Sequence, residues 1–558
     1  MKRHERKKGC PMKRVISWLL TASLTVVLAV PAAGAAYIDL PAGGTLSVEV
    51  EKALQYGLMN GYSAARFGYG DPITRAQFVT VLSRMMNWPA SPTENAVTPA
   101  MELPAGLPGT YQSAINYAVK NDVIETNIPF RPNARITRGE MAEMLVRALG
   151  LKSAAVLAEK RGSLPFTDVT IRKGYISVAY AIGMTNGTSA STFSPDNSAT
   201  RAQAAAMLVR IYEKLQKKTD WVHGFYAISS YNQISLTDYM DAVSVGWSRM
   251  TWDGKHARLS TTGVNGNEYY IPTGYQEISA YLEDGRKRLH LNVYMDGGGL
   301  RDLLASPEGR TQAVNEIIRE LTVSYRETGK NPYGGVTVDF EGLRSVSRND
   351  FTAFLMELSQ KVHSMGKTLY VCVSPVLSSG PYYDGYDYSA IARLADHVIL
   401  MAYDYDARDL SGFEGTEYYK NIAPAPIDQV FMSLAAVVSA VPNPQNIALG
   451  FNCKNIAWQI DENERLVSGK PVYPSNETLY KRLEQPDTIR GWSDSYQTSY
   501  AIYTVEGGER YFTWYDDSSS IQVKLNAAKL LGITDVSIWR LGIIPTRASF
   551  NWMNLLVS

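Results

Sequence analysis

The chain has 558 residues, of which 45% are hydrophobic and 20% are charged, and its formal net charge at pH 7 is +1. This length predicts several domains, because one domain usually holds roughly 100–200 residues. The balanced charge argues against nucleic acid as the main partner, since nucleic-acid-binding proteins carry strongly basic surfaces.

The first 36 residues are typical of an export signal. Seven Lys and Arg side chains precede an apolar run over residues 15–30, and small residues follow at positions 33–35. Removal of residues 1–35 takes away seven of the 55 basic and one of the 54 acidic side chains, leaving 48 against 53. The alternative is an uncleaved membrane anchor, although the run is shorter than the ~20 residues of a spanning helix. Only Cys372 and Cys453 would remain, which predicts no disulfide framework.

A repeat of 63 residues runs through the first part of the chain. The dipeptide Thr-Arg recurs at this interval, as Thr74-Arg75, Thr137-Arg138 and Thr200-Arg201. The segments ITRAQFVTVLSRM, ITRGEMAEMLVRA and ATRAQAAAMLVRI align without a gap. In each segment the Thr can cap a helix, and apolar residues follow at a spacing of three and four. We therefore predict an amphipathic helix from each Thr, with a second short helix upstream in each unit.

This pattern resembles the S-layer homology domain, in three copies over residues 37–98, 99–161 and 162–218. The resemblance implies an all-α trident that attaches an exported protein to secondary polysaccharides of a Gram-positive-type cell wall. It also makes Arg75, Arg138 and Arg201 candidate contacts to that polymer. An Arg at a helix N-terminus adds a planar charged fork to N–H groups that already suit an anion. The alternative for each Arg is a structural ion pair or cap.

From about residue 220 short apolar runs alternate with helical segments, as in a parallel α/β fold. Eight runs are strand candidates: VHGFYAISS, AVSVGWSRM, RLHLNVYM, GGVTVDFE, TLYVCVSP, HVILMAYD, NIALGFN and DVSIWRLG. Eight such units over residues 220–558 predict a (β/α)8 barrel, or TIM barrel. The stretch of about 455–517, between the seventh and eighth strands, is long enough for a small inserted α+β unit that walls a cleft.

The stretch YGGVTVDFEGLR, residues 333–344, places two carboxylates in a very apolar strand. Because alternate strand residues share a face, Thr337, Asp339 and Glu341 should point into the barrel while their apolar neighbours pack on helices. Glu341 would then lie at the C-terminal rim, where barrel enzymes keep their chemistry. The like charge of Asp339 and partial burial should raise the pKa of Glu341, as an acid catalyst requires.

Three motifs in this half together resemble glycoside hydrolase family 18. GGVTVDFE resembles its fourth-strand signature, LMAYDYD its sixth-strand motif, and SIWRLG its eighth-strand Trp motif. Residues 511–542 further resemble the bacterial cell-wall and spore-germination branch of the family. The resemblance covers about residues 220–558.

The resemblance implies a retaining hydrolysis in which the 2-acetamido group of the substrate attacks the anomeric carbon. Glu341 would protonate the leaving oxygen, Asp339 would orient the acetamido N–H, and Tyr403 would hold the acetamido carbonyl. Trp539 would lie beneath the sugar ring, and Asp404 would complete the polar wall. No metal and no organic cofactor is implied, and the six His in the chain show no clustered ligand pattern.

The chain departs from the family motif at two positions, where Gly334 and Thr337 stand in place of Asp. An acid at position 337 could share a proton with Asp339, and its loss weakens that coupling. Thr337 can still hydrogen-bond Asp339, and we count it with the substrate-binding residues. Asp404 could instead be a structural cap, and Trp539 could be plain barrel core. Aromatic pairs at residues 382–383, 418–419 and 514–515 could stack on sugars.

Three functional hypotheses follow. The first is a hydrolase held at the cell surface that cleaves β-1,4 bonds after N-acetylglucosamine in peptidoglycan, with chitin as the second substrate. The second is an inactive, carbohydrate-binding surface protein on the same barrel. The third is a purely structural surface-layer subunit.

Overall fold

The computed structural model describes residues 37–89, 106–126, 128–162, 164–284, 288–325, 329–375, 384–405, 409–547 and 550–557. The expected export signal at residues 1–36 and the aromatic pair Tyr382-Tyr383 lie outside the described residues. No helix within these ranges combines the length and apolar character that crossing a bilayer requires.

The described part of the N-terminal half is built from helices: α1 (Thr45–Gln55), α2 (Arg75–Met85), α3 (Gly109–Lys120), α4 (Arg138–Ala148), α5 (Lys152–Arg161), α6 (Lys173–Ala181) and α7 (Arg201–Leu215). The helices predicted from each Thr-Arg pair are present as α2, α4 and α7. Thr74, Thr137 and Thr200 each form a capping box with the residue three positions later, which satisfies two backbone donors at the helix start.

Each of these helix starts also packs against the turn of another repeat. The N–H of Arg75 donates to the carbonyl of Ala134 at 3.0 Å, and that of Arg138 donates to Asn197 at 2.9 Å. The N–H of Arg201 returns to the carbonyl of Asp71 at 2.9 Å. The three repeats therefore form a closed ring, in which N–H groups left over by helix geometry are bonded to a neighbouring repeat.

Thirteen strands lie in the described part of the second half: β1 (Trp221–Tyr226), β2 (Ala242–Trp252), β3 (Ala257–Ser260), β4 (Arg288–Met295), β5 (Gly335–Phe340), β6 (Thr368–Val373), β7 (His397–Leu400), β8 (Ile447–Asn452), β9 (Ile456–Ile460), β10 (Ile489–Ser493), β11 (Thr498–Thr504), β12 (Arg510–Tyr515) and β13 (Asp535–Trp539). Helices in the same half are α8 (Tyr275–Asp284), α9 (Gly297–Ala305), α10 (Pro307–Thr322), α11 (Arg348–Ser364), α12 (Tyr388–Leu394), α13 (Ile427–Ala440), α14 (Asn476–Leu483), α15 (Ser518–Leu530) and α16 (Trp552–Leu556).

Eight of these strands close into a parallel barrel. Their order is β1-β13-β8-β7-β6-β5-β4-β2, and β2 pairs with β1 to complete the circle. The short strand β3 pairs antiparallel with β2 at the side. The eight strands coincide with the eight predicted runs, so the predicted parallel barrel is confirmed.

The strand β5 shows why the sequence folds this way. Every residue from Gly335 to Phe340 is buried. Val336, Val338 and Phe340 join the hydrophobic core, and the ring of Phe340 stacks on that of Phe354 in α11 at 5.2 Å. The alternate positions of β5 face the barrel interior, as the period of two requires.

A second, antiparallel sheet lies between β8 and β13 in the chain. Its strand order is β10-β11-β12-β9, and α14 lies between β9 and β10 in the chain. The sheet has its own core, which includes Trp458, Phe512 and Trp514 and which packs on Tyr419 from the loop after β7. This sheet therefore stands beside the rim of the barrel.

Candidate active site

The carboxyl ends of the parallel strands bring most of the predicted site residues to one end of the barrel. Asp339 lies in β5 and Glu341 directly follows it, Tyr403 and Asp404 follow β7, and Trp539 ends β13. The charges of Asp404, Asp339 and Glu341 add to burial in raising the pKa of Tyr403 well above its ordinary value. The three carboxylates therefore lie close enough to Tyr403 for their charges to act on its hydroxyl.

Asp339 is the most unusual residue of this group. Its side chain is buried, with the residue only 2% exposed, and Oδ2 accepts one long hydrogen bond of 3.5 Å from Asn292 Nδ2. Oδ1 has no hydrogen-bond partner of good geometry among the described residues. Burial raises the pKa of Asp339 to about 6, although Asn292 and the weak thiol donor of Cys372 act in the opposite direction. The barrel thus holds an incompletely satisfied carboxyl group that can exchange a proton near neutral pH.

Glu341 lies one step outside β5 and is half-buried. Its backbone N–H donates to the carbonyl of Met295 at 2.9 Å, which extends the pairing between β5 and β4 and fixes the backbone of the predicted acid. Its charge contributes to raising the pKa values of Tyr294 and Tyr386, after the larger effect of burial. The raised pKa expected for Glu341 itself stays a prediction.

Thr337 does not make the contact that the sequence suggested. Its hydroxyl lies 2.6 Å from Ser244 Oγ and 3.2 Å from His290 Nδ1, and no hydrogen bond joins it to Asp339 among the described residues. Residues two apart on one strand face are roughly 6–7 Å apart, so the short hydroxyl reaches the neighbouring strands sooner than the next carboxylate. The prediction of a hydrogen bond between Thr337 and Asp339 was therefore wrong.

Three further residues lie around the acids that the sequence motifs did not indicate. Asn292 donates to Asp339, and Cys372 lies beside it. Tyr386 donates its hydroxyl to the carbonyl of Phe340 at 2.8 Å, which steadies the end of β5. A signal for Asn292 existed, because His290 and Asn292 alternate within the apolar run RLHLNVYM and so share the inner face.

Asp404 and Trp539 have different surroundings. Asp404 is exposed, has a left-handed φ of 58° and accepts a hydrogen bond of 2.6 Å from Asn452 Nδ2. A non-glycine residue in this region is uncommon, and such conformations often occur at functional sites. Trp539 is half-buried and packs edge-to-face on Phe225 at 5.0 Å, in a cluster that also includes Tyr403. Its ring is therefore held firmly while part of it stays accessible.

A cleft of about 300 Å³ opens between the barrel rim and the second sheet. Tyr403 and Asp404 line it on the barrel side, and residues such as Tyr473 and Trp514 line it on the other side. Glu341 does not line this cleft among the described residues, although its charge acts on Tyr403, which does. Within the described ranges, no cluster of three His, Cys, Asp or Glu side chains could hold a metal ion.

The three arginines of the repeats make structural contacts. Arg75 forms a two-pronged pair with Glu140, at 3.2 and 2.5 Å. Arg138 is buried and donates to the carbonyl of Phe193 at 2.9 Å and to a threonine hydroxyl. Arg201 is also buried, donates to the carbonyls of Phe67 and Asn60, and lies over an aromatic ring. These contacts join the repeats, so contact with a wall polymer stays a prediction for each arginine.

Each half of the chain matches the model of a known protein family. The model of the Glycosyl hydrolases family 18 matches residues 191–543, and that of the S-layer homology domain matches residues 49–79, 107–142 and 165–205. The chain is 25% identical over 242 residues to the cortical fragment-lytic enzyme of Bacillus subtilis, covering 43% of this chain and 52% of that protein. It is 29% identical over 204 residues to the S-layer protein of Bacillus thuringiensis subsp. finitimus, covering 36% of this chain and 24% of that protein.

A solved structure with low sequence identity supports the fold but says nothing about the activity. The C-terminal domain of a chitinase candidate from Desulfitobacterium hafniense superposes with a TM-score of 0.50 at 21% identity, covering 61% of this chain and 99% of that domain. The chain spans about half the length of the lytic-enzyme relative that it matches, and about a quarter of the surface-layer protein.

Proposed function

The chain belongs to the glycosyl hydrolases family 18 and carries three S-layer homology repeats, and we propose that it is a wall-attached hydrolase of glycans that contain N-acetylated amino sugars. One observation carries this proposal. Asp339, buried and with one oxygen unpartnered among the described residues, lies two positions before Glu341 at the C-terminal end of a closed parallel barrel. An unsatisfied buried carboxylate is costly and needs a compensating role.

The proposed reaction assigns one task to each residue. The carbonyl oxygen of the substrate's acetamido group attacks the anomeric carbon, while Glu341 gives its proton to the departing glycosidic oxygen. Asp339 accepts a hydrogen bond from the acetamido N–H, which supplies the donor that Oδ1 lacks, and stabilises the positive charge that develops there. Tyr403 donates its hydroxyl to the acetamido oxygen. Water then opens the cyclic intermediate, with Glu341 taking the proton back.

The remaining predicted residues bind the sugar. Trp539 offers the accessible part of its ring to the apolar face of the pyranose. Asp404, at the rim and in contact with Asn452, accepts hydrogen bonds from sugar hydroxyl groups. Thr337 supports the site indirectly, because its hydroxyl joins β5 to its neighbours below Asp339.

Peptidoglycan is the proposed substrate, with cleavage of the β-1,4 bond after N-acetylglucosamine. Two facts support it: the S-layer homology repeats belong to proteins of the cell surface, and a relative of the barrel is named for its lysis of cortical fragments. Chitin has the same acetamido chemistry and is therefore the natural comparison substrate.

The repeats are proposed to hold the enzyme outside the cell on a secondary wall polysaccharide, as an all-α unit of residues 37–98, 99–161 and 162–218. Arg75 is the best placed of the three arginines for this role. It lines a surface groove together with Arg172 and Glu140, whereas Arg138 and Arg201 are buried. The barrel would span residues 220–558, with the inserted unit at about 455–517.

The test is incubation of the purified full chain with sacculi and, separately, with chitin oligomers, followed by mass analysis of the products. New reducing-end N-acetylglucosamine from sacculi, absent with Glu341→Gln, is the expected result. Release from chitin oligomers alone would identify a chitinase. Binding to sacculi without any turnover would identify a carbohydrate-binding protein and overturn the proposal.

A further inference from the structure

The connection between β8 and β9 brings a single cation to the cleft. Lys454 is exposed, and it is the only basic residue among the described residues that line this cleft. Its ammonium group forms no ion pair with any acidic residue in the described part of the chain. A lysine placed in this way is available to an acidic group of a ligand.

Each of the two acidic residues of the cleft is hydrogen-bonded to a side chain other than Lys454. Asp404 accepts a hydrogen bond from Asn452, and Asp516 accepts hydrogen bonds from Lys524 at 2.5 Å and from Thr498 at 2.9 Å. Lys524 is itself buried, so Asp516 has a permanent internal counter-ion. Neither of these carboxylates forms an ion pair with Lys454 among the described residues, so the ammonium group is open to a ligand.

The backbone of Lys454 is held in a fixed place relative to the proposed catalytic groups. Its N–H donates to Asn452 Oδ1 at 3.0 Å, and the amide nitrogen of the same Asn452 donates to Asp404. One residue earlier, the N–H of Cys453 donates to the carbonyl of Trp539 at 2.8 Å. One residue later, the buried Asn455 donates to the carbonyl of Pro474 and to Asn476 Oδ1. The backbone of Lys454 is thus held in place, and its side chain extends from a point beside Trp539 and Asp404.

We propose that Lys454 binds a carboxylate of the substrate and thereby selects acidic glycan over neutral glycan. This inference rests on the proposed function, because it concerns the same cleft. The chemistry fits peptidoglycan, whose muramic acid residues carry a carboxylate either on the lactyl ether or on the attached stem peptide. Chitin carries no carboxylate, and a charge-assisted hydrogen bond to an ammonium group would be lost with it.

The test compares substrates that differ in which carboxylate they carry. Soluble tetrasaccharides from peptidoglycan are prepared with an acidic stem peptide, with the stem carboxylates amidated, and with the stem removed so that the lactyl carboxylate is free. The full chain and its Lys454→Gln variant are assayed for kcat/KM on each substrate. Lys470→Gln, which removes an exposed lysine of the inserted region outside the cleft, is the matched control.

The expected result is a chemical double-mutant cycle with a non-zero coupling. Amidation should lower kcat/KM of the unmodified chain and of Lys470→Gln about tenfold, the size of one charge-assisted contact in an open cleft, and should have no effect on Lys454→Gln. If Lys454→Gln lowers kcat/KM only on the substrate with an acidic stem, Lys454 binds the stem carboxylate. If it lowers kcat/KM on the stem-free substrate, Lys454 binds the lactyl carboxylate. An equal effect of amidation on all three proteins, together with no loss of kcat/KM from Lys454→Gln on the stem-free substrate, would overturn the proposal.

The same cycle can be run on binding, so that failure of catalysis does not hide the answer. Dissociation constants are measured by calorimetry in the Glu341→Gln background, with and without Lys454→Gln. If no glycan is hydrolysed but the coupling persists in binding, the proposed hydrolase is wrong and the carboxylate site stands. If hydrolysis is normal and neither measurement shows coupling, Lys454 has no such role.

Discussion

Two layers of polar side chains fill the barrel interior along β5, and they differ in how completely they are hydrogen-bonded. In the lower layer the hydroxyl of Thr337 contacts Ser244 and His290, and His223 contacts Ser244 and Ser537 at 2.7 Å each. In the upper layer Asp339 has one long bond to Asn292 and one oxygen without a well-formed bond among the described residues.

The side chains of the lower layer have a structural role. Burial lowers the pKa of His223 to about 3 and that of His290 well below its ordinary value, so both imidazoles are neutral inside the barrel. Neutral, fully bonded polar groups rigidify an interior at little cost. The upper layer instead keeps an acid whose hydrogen-bonding capacity is unmet, and a ligand is the natural source of the missing donor. The comparison teaches that two polar residues on one strand face can serve different ends.

The largest expected effect comes from the acid above both layers. Glu341→Gln keeps the size of the side chain but cannot donate a proton, so we expect kcat on sacculi to fall about 10²–10⁴-fold. Binding of soluble glycan fragments should persist, because the amide can still form hydrogen bonds. The measurement is release of reducing sugar alongside calorimetric binding. Glu506→Gln, an exposed change on the inserted region, is the control and should retain full activity.

Asp339→Asn is expected to have the next largest effect. The amide removes the charge that stabilises the developing cation, and kcat should fall about 10²–10³-fold. Asp487→Asn, at an exposed position, is the matched change. If Asp339→Asn were as active as the unmodified chain, the upper layer would be structural, like the lower one.

The direction of the side chains on β5 could be predicted from the sequence, but their hydrogen-bond partners could not. The alternation in GGVTVDFE was enough to place Thr337 and Asp339 on the inner face, because side-chain direction along a strand is local. The partners of Thr337 come from β2 and β4, and their identity depends on strand register, which the sequence of β5 does not contain. Ser244 lies 93 residues from Thr337 along the chain, so no local pattern marks the contact.

The repeats show the same limit. The Thr caps of α2, α4 and α7 were predictable, because a capping box spans only four residues. The three arginines that follow the caps looked equivalent in sequence. In the structure Arg75 pairs with Glu140, whereas Arg138 faces Phe193 and a threonine hydroxyl of the third repeat. Glu140 is replaced by Gln203 in the third repeat, and such differences in a neighbouring repeat decide what each arginine contacts.

The pH dependence of stability provides a third test, because only the upper layer holds an acid. The pKa of Asp339 is raised from 3.8 to about 6 in the folded chain, so the folded state binds more protons than the unfolded state between these values. The contribution of Asp339 to stability should therefore fall as the pH rises through this window and then level off, by about 3 kcal/mol in total. The buried imidazoles of His223 and His290 act in the opposite direction, but they are common to the unmodified chain and to Asp339→Asn, so the comparison of the two proteins isolates Asp339. Asp339→Asn should lack this contribution, so its stability relative to the unmodified chain should rise with pH and be greatest at pH 8. Urea unfolding of both proteins from pH 4.5 to 8 measures the difference, and parallel curves would contradict the buried, unsatisfied state of Asp339.

The smallest effect is expected from the lower layer, and it should appear in stability more than in chemistry. Thr337→Val preserves the shape of the side chain but leaves His290 Nδ1 without the hydroxyl at 3.2 Å and removes one partner of Ser244. Because these groups are fully buried, we expect a loss of about 1–2 kcal/mol in the free energy of unfolding. Thr337→Ser keeps the hydroxyl and should recover most of the bonded network, losing only the packing of one methyl group. A fall in kcat comparable to that of Asp339→Asn, at unchanged stability, would show that the two layers act as one catalytic unit and would remove the distinction between them.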